Sequence, residues 1–374
     1  MAKWVSMWGQ SHTDIRHRGP DYKGRTMRLI ILNNIDGEKI RIRISNLEGK
    51  KPYKIVEAGI RKNYGESKMF PITFSGKKDC EVQPGEEFYS DEIPLQVVTQ
   101  DQLEISMAFS TAVYSGNGID EHVQCSKNGN YVQEAQFQTV HRNKTSCFHD
   151  LHHAIPAISS MEAYAKDEAG AIICFGDSIT QQSTWTRVLR DAYMTSEPGI
   201  TSIVNKGIDG NRLLYGPLMK MMKMYGRAGI ERFQRDVLEE AGAKAVIIAI
   251  GTNDIGMSRN EKSDTYVTAE QLAVAQTKLA EKARENGMMV YGSTLLPRVG
   301  TTGYLEMNER ERLKFNEWIR NTDVFHHVFD FEKVVRNPEH PEMLEFACDR
   351  GDHLHPSELG GKRIAQLILQ EIDG

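Results

Sequence analysis

From about Ala169 to the C-terminus the chain repeats one pattern that few folds can accommodate. Short apolar runs at Ala171–Phe175, Ser202–Val204, Ala245–Ile250, Met288–Tyr291 and Val328–Phe331 alternate with stretches of helical spacing. The helical stretches are Trp185–Tyr193, Glu231–Glu240, Ala269–Asn286, Asn308–Arg320 and Ser357–Ile372. Runs this short and this apolar suit strands buried on both faces, and the helices between them supply the crossovers that parallel strands need. An α/β domain with a mostly parallel sheet is therefore expected. In such sheets ligands meet the carboxyl ends of the strands. Gly176, Gly207 and Gly251 each follow an expected strand or nearly so.

The first stretch, of about 150 residues, lacks that rhythm and reads as strands without long helices. Arg28–Leu32 and Lys39–Ile44 flank Asn33–Gly37, whose composition reads as a hairpin link. Further strand-like runs stand at Ile55–Ile60, Pro71–Phe74, Glu87–Tyr89 and Leu103–Phe109. A β-sandwich is expected here. At 374 residues the chain is long for one core, which fits two domains. Their expected bounds are 1–155 for the β-sandwich and 166–374 for the α/β domain, with a linker near Phe148–Lys166.

Composition excludes some classes. The net charge of −5 gives no electrostatic reason to expect nucleic acid as a partner. No stretch approaches the roughly 20 apolar residues that span a bilayer, so no membrane partner is expected. The N-terminus turns polar at once and reads as lacking a signal peptide. Five scattered cysteines without a CxxC argue for a reducing compartment. A cytoplasmic protein is expected.

The chemistry concentrates at four segments. Gly176-Asp177-Ser178 directly follows the run Ala171–Phe175. Gly176 permits a tight turn, and a helix beginning there would aim N–H groups at whatever Ser178 attacks. Taken alone, such a tripeptide is more often a turn and helix cap. Near the other end, Asp352 and His355 stand at i and i+3, so one helical turn puts both side chains on one face. His355 could take the Ser178 proton while Asp352 holds the imidazole in the right tautomer. Pro356 fits the first position of the next helix. His353 lacks the three-residue spacing. Asn253, in Gly251-Thr252-Asn253-Asp254, could donate its amide to a developing oxyanion. The N–H groups of Gly207, in Asn205–Asn211, and of Ser178 itself are two further candidates.

Together, in this order and each at a strand end or before a helix, the four segments resemble the SGNH (GDSL-type) hydrolase family from about Ala169 to the C-terminus. Asn211-Arg212-Leu213-Leu214, Asn253-Asp254-Ile255-Gly256 and Gly351–Pro356 also resemble a subgroup with an N-terminal β-domain, whose Arg-Ile-Arg-Ile-Ser-Asn-like strand is matched by Arg41–Asn46. The resemblance implies a three-layer α/β/α sandwich with a flavodoxin-like sheet and, ahead of it, a jelly-roll-like β-domain. It also implies Ser178 as nucleophile, His355 as base, Asp352 as third triad member, and Ser178, Gly207 and Asn253 as the oxyanion hole. No cofactor and no metal are implied. The activity to expect is removal of a small acyl group, acetyl first, from a carbohydrate ester, with a small molecule or oligosaccharide as partner. A lysophospholipase, a thioesterase or another short-chain esterase stays open. So do an acyltransferase, a carbohydrate-binding protein that has lost activity, and a homo-oligomer.

Other features are weaker. His149, His152 and His153 have helical spacing compatible with a metal, but no metal site is expected from them. Met219, Met221, Met222 and Met224 read as a helix packed into the core rather than a substrate lip. Trp185 reads as core, whereas Trp4 and Trp8 could stack on a sugar.

Overall fold

The computed structural model describes residues 2–16, 21–62, 68–118, 121–140, 154–217, 220–262 and 266–372. The chain divides into two compact units, Met1–Gly170 with Tyr193–Ser202, and Ala171–Ala192 with Ile203–Gly374.

In the first unit the described strand pairings are antiparallel. One sheet runs Lys3–Gly9, Ile158–Ala165, Ile40–Ser45, Glu87–Tyr89, and a second is built on His122–Asn128, Arg25–Leu32, Gln102–Phe109 and Tyr53–Lys62. In Ile40–Ser45 the side chains of Ile40, Ile42 and Ile44 are fully buried on one face, while the other face is not wet, since Arg43 and Ser45 are buried as well. Two expectations fail here. Arg25–Leu32 and Ile40–Ser45 do not form a hairpin, because the first pairs with Gln102–Phe109 and the second with Ile158–Ala165, in different sheets. The Asn33 side chain donates to the carbonyls of Ile35 and Val98, turning the chain toward the 98–101 loop instead of back on itself. Ile158–Ala165 is not linker but a central strand; its Ser160, Glu162 and Tyr164 masked an apolar alternate face of Ile158, Met161 and Ala163.

The second unit is α/β. Its strands are β1 (Gly170–Gly176), β2 (Thr201–Gly207), β3 (Ala243–Ala249), β4 (Met289–Ser293) and β5 (His327–Phe329). They are ordered β2-β1-β3-β4-β5, with β1·β3, β3·β4 and β4·β5 parallel. β1 is buried along its whole length, and β3 is buried over Ala245–Ile248, as their apolar runs require. The long helices also form where the spacing predicts: α2 (Thr186–Ser196), α5 (Ala269–Glu285), α6 (Glu306–Asn321) and α8 (Glu358–Glu371). Thr268 and Gln271 close a capping box on α5, and Ser357 caps α8. Pro356 thus lies one residue before the cap rather than inside the helix. The short helices are α1 (Ser178–Gln181) after β1, α3 (Gly229–Phe233), α4 (Thr252–Gly256) after β3 and α7 (Phe331–Val335). The strand order reverses between β1 and β3. That is the place where a sheet of this order opens a crevice beyond its carboxyl ends.

Candidate active site

Ser178 is the first residue of α1, at the carboxyl end of β1. Asp177 caps the helix, its Oδ1 accepting the Ile179 N–H at 3.0 Å. Gly176 is required by space: a Cβ there would stand 2.0 Å from Thr180 Oγ1 and 2.8 Å from the Ala249 carbonyl. The Gly176 carbonyl accepts from Arg232 Nη2 at 2.7 Å and from the Ile208 N–H at 3.2 Å. Arg232 is buried, and it also donates to the Lys206 carbonyl at 2.9 Å, to Asn211 Oδ1 at 3.0 Å and to Asp236 at 3.0 Å. One guanidinium thereby ties the ends of β1 and β2 to the loop beyond β2. Burial lowers its pKa to about 10, opposed by Asp236. Nothing in the local sequence marks this role of Arg232, because the two carbonyls it holds are 26 and 56 residues away.

The far segment closes on this turn. His355 Nε2 lies 2.8 Å from Ser178 Oγ, and His355 Nδ1 lies 2.7 Å from Asp352 Oδ2. Since an ionised carboxylate only accepts, the proton sits on Nδ1 and the Nε2 lone pair faces the serine hydroxyl. Asp352 Oδ1 accepts the N–H groups of Leu354 and His355, at 3.0 and 2.9 Å. Partial burial works to raise the Asp352 carboxyl, but the His355 ring and these amides outweigh it and hold the group well below the usual carboxylate range. His353 takes no part in this relay. Its ring pairs with Asp349 at 2.6 Å, on a backbone with φ of 62°.

The candidate oxyanion donors stand at the ends of the strands that flank β1. Gly207 ends β2, and a Cβ there would sit 2.3 Å from the Gln181 N, so only glycine lets β2 approach the Ser178 turn. Its N–H is occupied here, donating to Asn205 Oδ1 at 2.9 Å, a bond that spacing alone did not reveal. Asn205 Nδ2 in turn donates to the Thr180 carbonyl at 2.7 Å, fastening β2 to α1. Asn253, in α4, uses one amide hydrogen on the Asn211 carbonyl at 3.0 Å and keeps a second. Asp254 beside it is buried and accepts the Leu213 and Leu214 N–H groups at 2.6 and 2.8 Å.

Burial pushes the Asp177 carboxyl up to about 7, against the pull of the Ile179 amide and His355. It pushes Asp254 up to about 6, against the Leu214 and Leu213 amides. A carboxyl whose folded pKa exceeds the unfolded value of about 4 holds a proton that the unfolded chain has released. Both groups therefore subtract stability as pH rises from about 4 to about 7. Asp352 acts in the opposite sense: its contribution is present above about pH 4 and is lost on acidification. Asn is a good helix cap, so Asp177→Asn removes the titration while keeping the cap. The melting temperature of Asp177→Asn, relative to the parent, is expected to be several degrees more favourable at about pH 8 than at about pH 4.5. A difference independent of pH, read by thermal unfolding, would show that Asp177 titrates normally.

His149, His152, His153 and Met219 lie outside the described residues. Among the described residues no group of three or more His, Cys, Asp or Glu could hold a metal ion. Also among them, no helix is long and apolar enough to cross a membrane. Met222 and Met224 are half-buried rather than core. Trp185 is fully buried as expected, Trp8 is buried and so offers no platform, and Trp4 is half-buried against Tyr164 and Arg41.

The model of the GDSL-like lipase/acylhydrolase family matches residues 172–368, more than half the chain. The chain belongs to this family. The GDSL match begins in β1 and ends within α8, and so takes in Ser178, Gly207, Asn253, Asp352 and His355. No curated protein matches the chain. Among solved structures, the chain is similar to a lipase/acylhydrolase from Enterococcus faecalis, at 20% identity over 55% of this chain and 96% of that one, with a TM-score of 0.40. It is also similar to a GDSL-like lipase from Bacteroides thetaiotaomicron, at 19% identity over 54% and 87%, TM-score 0.39. A third is a catalytic mutant of an acetylxylan esterase from Geobacillus stearothermophilus, at 17% over 55% and 97%, TM-score 0.42.

Proposed function

We propose that this GDSL-family hydrolase is a serine esterase that removes acetyl groups from carbohydrate esters. The observation that carries the proposal is the continuous path from Ser178 Oγ through His355 to Asp352, at 2.8 and 2.7 Å. His355 Nε2 accepts the Ser178 proton as Oγ attacks the ester carbonyl. Asp352 stabilises the imidazolium that results. The tetrahedral oxyanion is held by the Ser178 N–H at the start of α1 and by the free amide hydrogen of Asn253. The Gly207 N–H joins them when it leaves Asn205. His355 then passes its proton to the departing sugar oxygen, giving an acyl-enzyme, and the same base activates the water that releases acetate.

Ser178 is 2% exposed and His355 8%, which leaves little room beside the nucleophile and favours a small acyl group. In this reading the N-terminal unit is an accessory domain of jelly-roll type. The test is acetate release from acetylated manno-, xylo- and chito-oligosaccharides beside nitrophenyl esters of rising chain length. Fast release from one sugar class is the expected result. Activity confined to longer nitrophenyl esters would overturn the acetyl-carbohydrate assignment while leaving the esterase intact.

A further inference from the structure

Arg298 lies in the loop after β4 and belongs to none of the four segments that carry the chemistry. It is 6% exposed. Among the described residues no carboxylate forms an ion pair with it, Glu309 acting only through space, and its Nε is buried without a hydrogen-bond partner. A buried guanidinium left so poorly matched is costly, and the structure holds it where a neutral side chain would be cheaper. It is protonated at neutral pH even so, its pKa lowered by burial only to about 10.

What it touches gives the reason. Arg298 Nη1 donates to the Thr252 carbonyl at 3.0 Å, the residue immediately before Asn253. The guanidinium packs against the far end of α4, where a Cβ on Gly256 would stand 1.9 Å from Nη1. The loop that carries it is anchored on α6. The Leu295 N–H donates to Asn316 Oδ1 at 2.8 Å, and its carbonyl accepts from Asn316 Nδ2 at 2.8 Å and Arg312 Nη1 at 3.1 Å. Two residues beyond Arg298 the same loop reaches the other half of the site. Gly300, at φ of 98°, packs so closely that a Cβ would stand 3.0 Å from the His353 ring, two residues from His355.

We propose that Arg298 is a positioning residue which, with Gly300, braces the Asn253 segment and the His355 segment against one rigid loop, and so sets the oxyanion donor relative to the base. The proposal rests on Asn253 being an oxyanion donor of the esterase described above. An oxyanion donor acts on the transition state more than on bound substrate, so a misplaced Asn253 lowers kcat and leaves KM nearly unchanged. A side chain that merely filled the core would lower stability without that split.

The experiment uses the full-length enzyme with nitrophenyl acetate and compares S178A, N253A, R298Q, R298K and the double variant N253A/R298Q. Loss of one oxyanion donor lowers kcat by about a hundredfold or more. R298Q is expected to lose about tenfold to a hundredfold in kcat with KM within about twofold, as a donor displaced rather than deleted. The double variant is expected to be no slower than N253A within about twofold, because Arg298 acts through Asn253. R298K keeps the charge and can still reach the Thr252 carbonyl, so it should recover part of the loss, and it also serves if glutamine unfolds the loop. Losses in the double variant that multiply, or an R298Q kcat equal to the parent's, overturn the brace while the triad stands. If N253A leaves kcat unchanged, the oxyanion assignment falls and the brace with it. If S178A still turns over, the esterase reading falls first.

Discussion

Ser178→Ala is expected to lower kcat on a short acyl ester by about 10⁵-fold or more, with the fold retained. The size of the loss follows from what remains. His355 and Asp352 would still be paired at 2.7 Å, but with no hydroxyl 2.8 Å from Nε2 no acyl-enzyme can form. Only oxyanion stabilisation of a direct water attack is left, worth roughly 10³–10⁴ over the uncatalysed reaction in enzymes of this logic. The fold should survive because the Ser178 hydroxyl supports no element of the turn. The α1 cap is the Asp177 carboxylate on the Ile179 amide, and the turn carbonyl at Gly176 is held by Arg232. One buried hydrogen bond is worth about 1 kcal/mol, so the melting temperature should shift by a few degrees at most. Steady-state kinetics and thermal unfolding of one preparation decide it, and ester hydrolysis near the parent rate would end the nucleophile assignment.

The candidate site was legible where its chemistry is local. Within Gly176-Asp177-Ser178 and within Asp352-x-x-His355 the supporting bonds run to neighbours within three residues, and strand-to-helix transitions told where the segments would stand. The α/β sheet was legible for a related reason: a strand buried on both faces must be apolar at every position, and the crossovers must be helical. The misread places are those where long-range partners decide. Asn33–Gly37 has the composition of a hairpin, yet Asn33 bonds to Val98, and the flanking strands enter different sheets. Ile158–Ala165 has polar residues on one face and small ones among the rest, so periodicity passed it over until its pairing with Lys3–Gly9 and Ile40–Ser45 explained it. Gly207 was read only as a donor; that a Cβ there would meet Gln181, and that its N–H has the Asn205 side chain as acceptor, depend on where β2 meets α1. Arg232 and Arg298 were invisible because arginine carries no positional signal; their meaning is the set of backbone carbonyls they reach from another element.

Two histidines two residues apart give the sharpest test of the remaining assignment. His355→Ala is expected to cost about as much as Ser178→Ala, because base and nucleophile act as a unit whose losses do not add. Asp352→Asn is expected to lower kcat by about 10⁴-fold, since an amide presents hydrogens to Nδ1 and stabilises the tautomer with its proton on Nε2. His353→Ala should cost less than about tenfold, for reasons specific to this loop. The His353 ring is engaged with Asp349, not with Ser178, and its backbone at φ of 62° is strained by about 1 kcal/mol or more for any residue but glycine. Alanine keeps that strain and loses the Asp349 contact, which loosens the loop. The ring that Gly300 packs against is lost as well, but the hydrogen bonds that aim His355 persist: Asp352 on Nδ1, the Asp352 Oδ1 bond to the His355 amide, and the Arg350 N–H on the His355 carbonyl at 3.0 Å. A small loss in kcat with a lower melting temperature is therefore the expected signature at position 353, and a loss of turnover without unfolding is the signature at 355. If His353→Ala were as inactive as His355→Ala while still folded, the spacing argument that chose the base would fail, and the geometry around Asp349 would have to carry the proton instead.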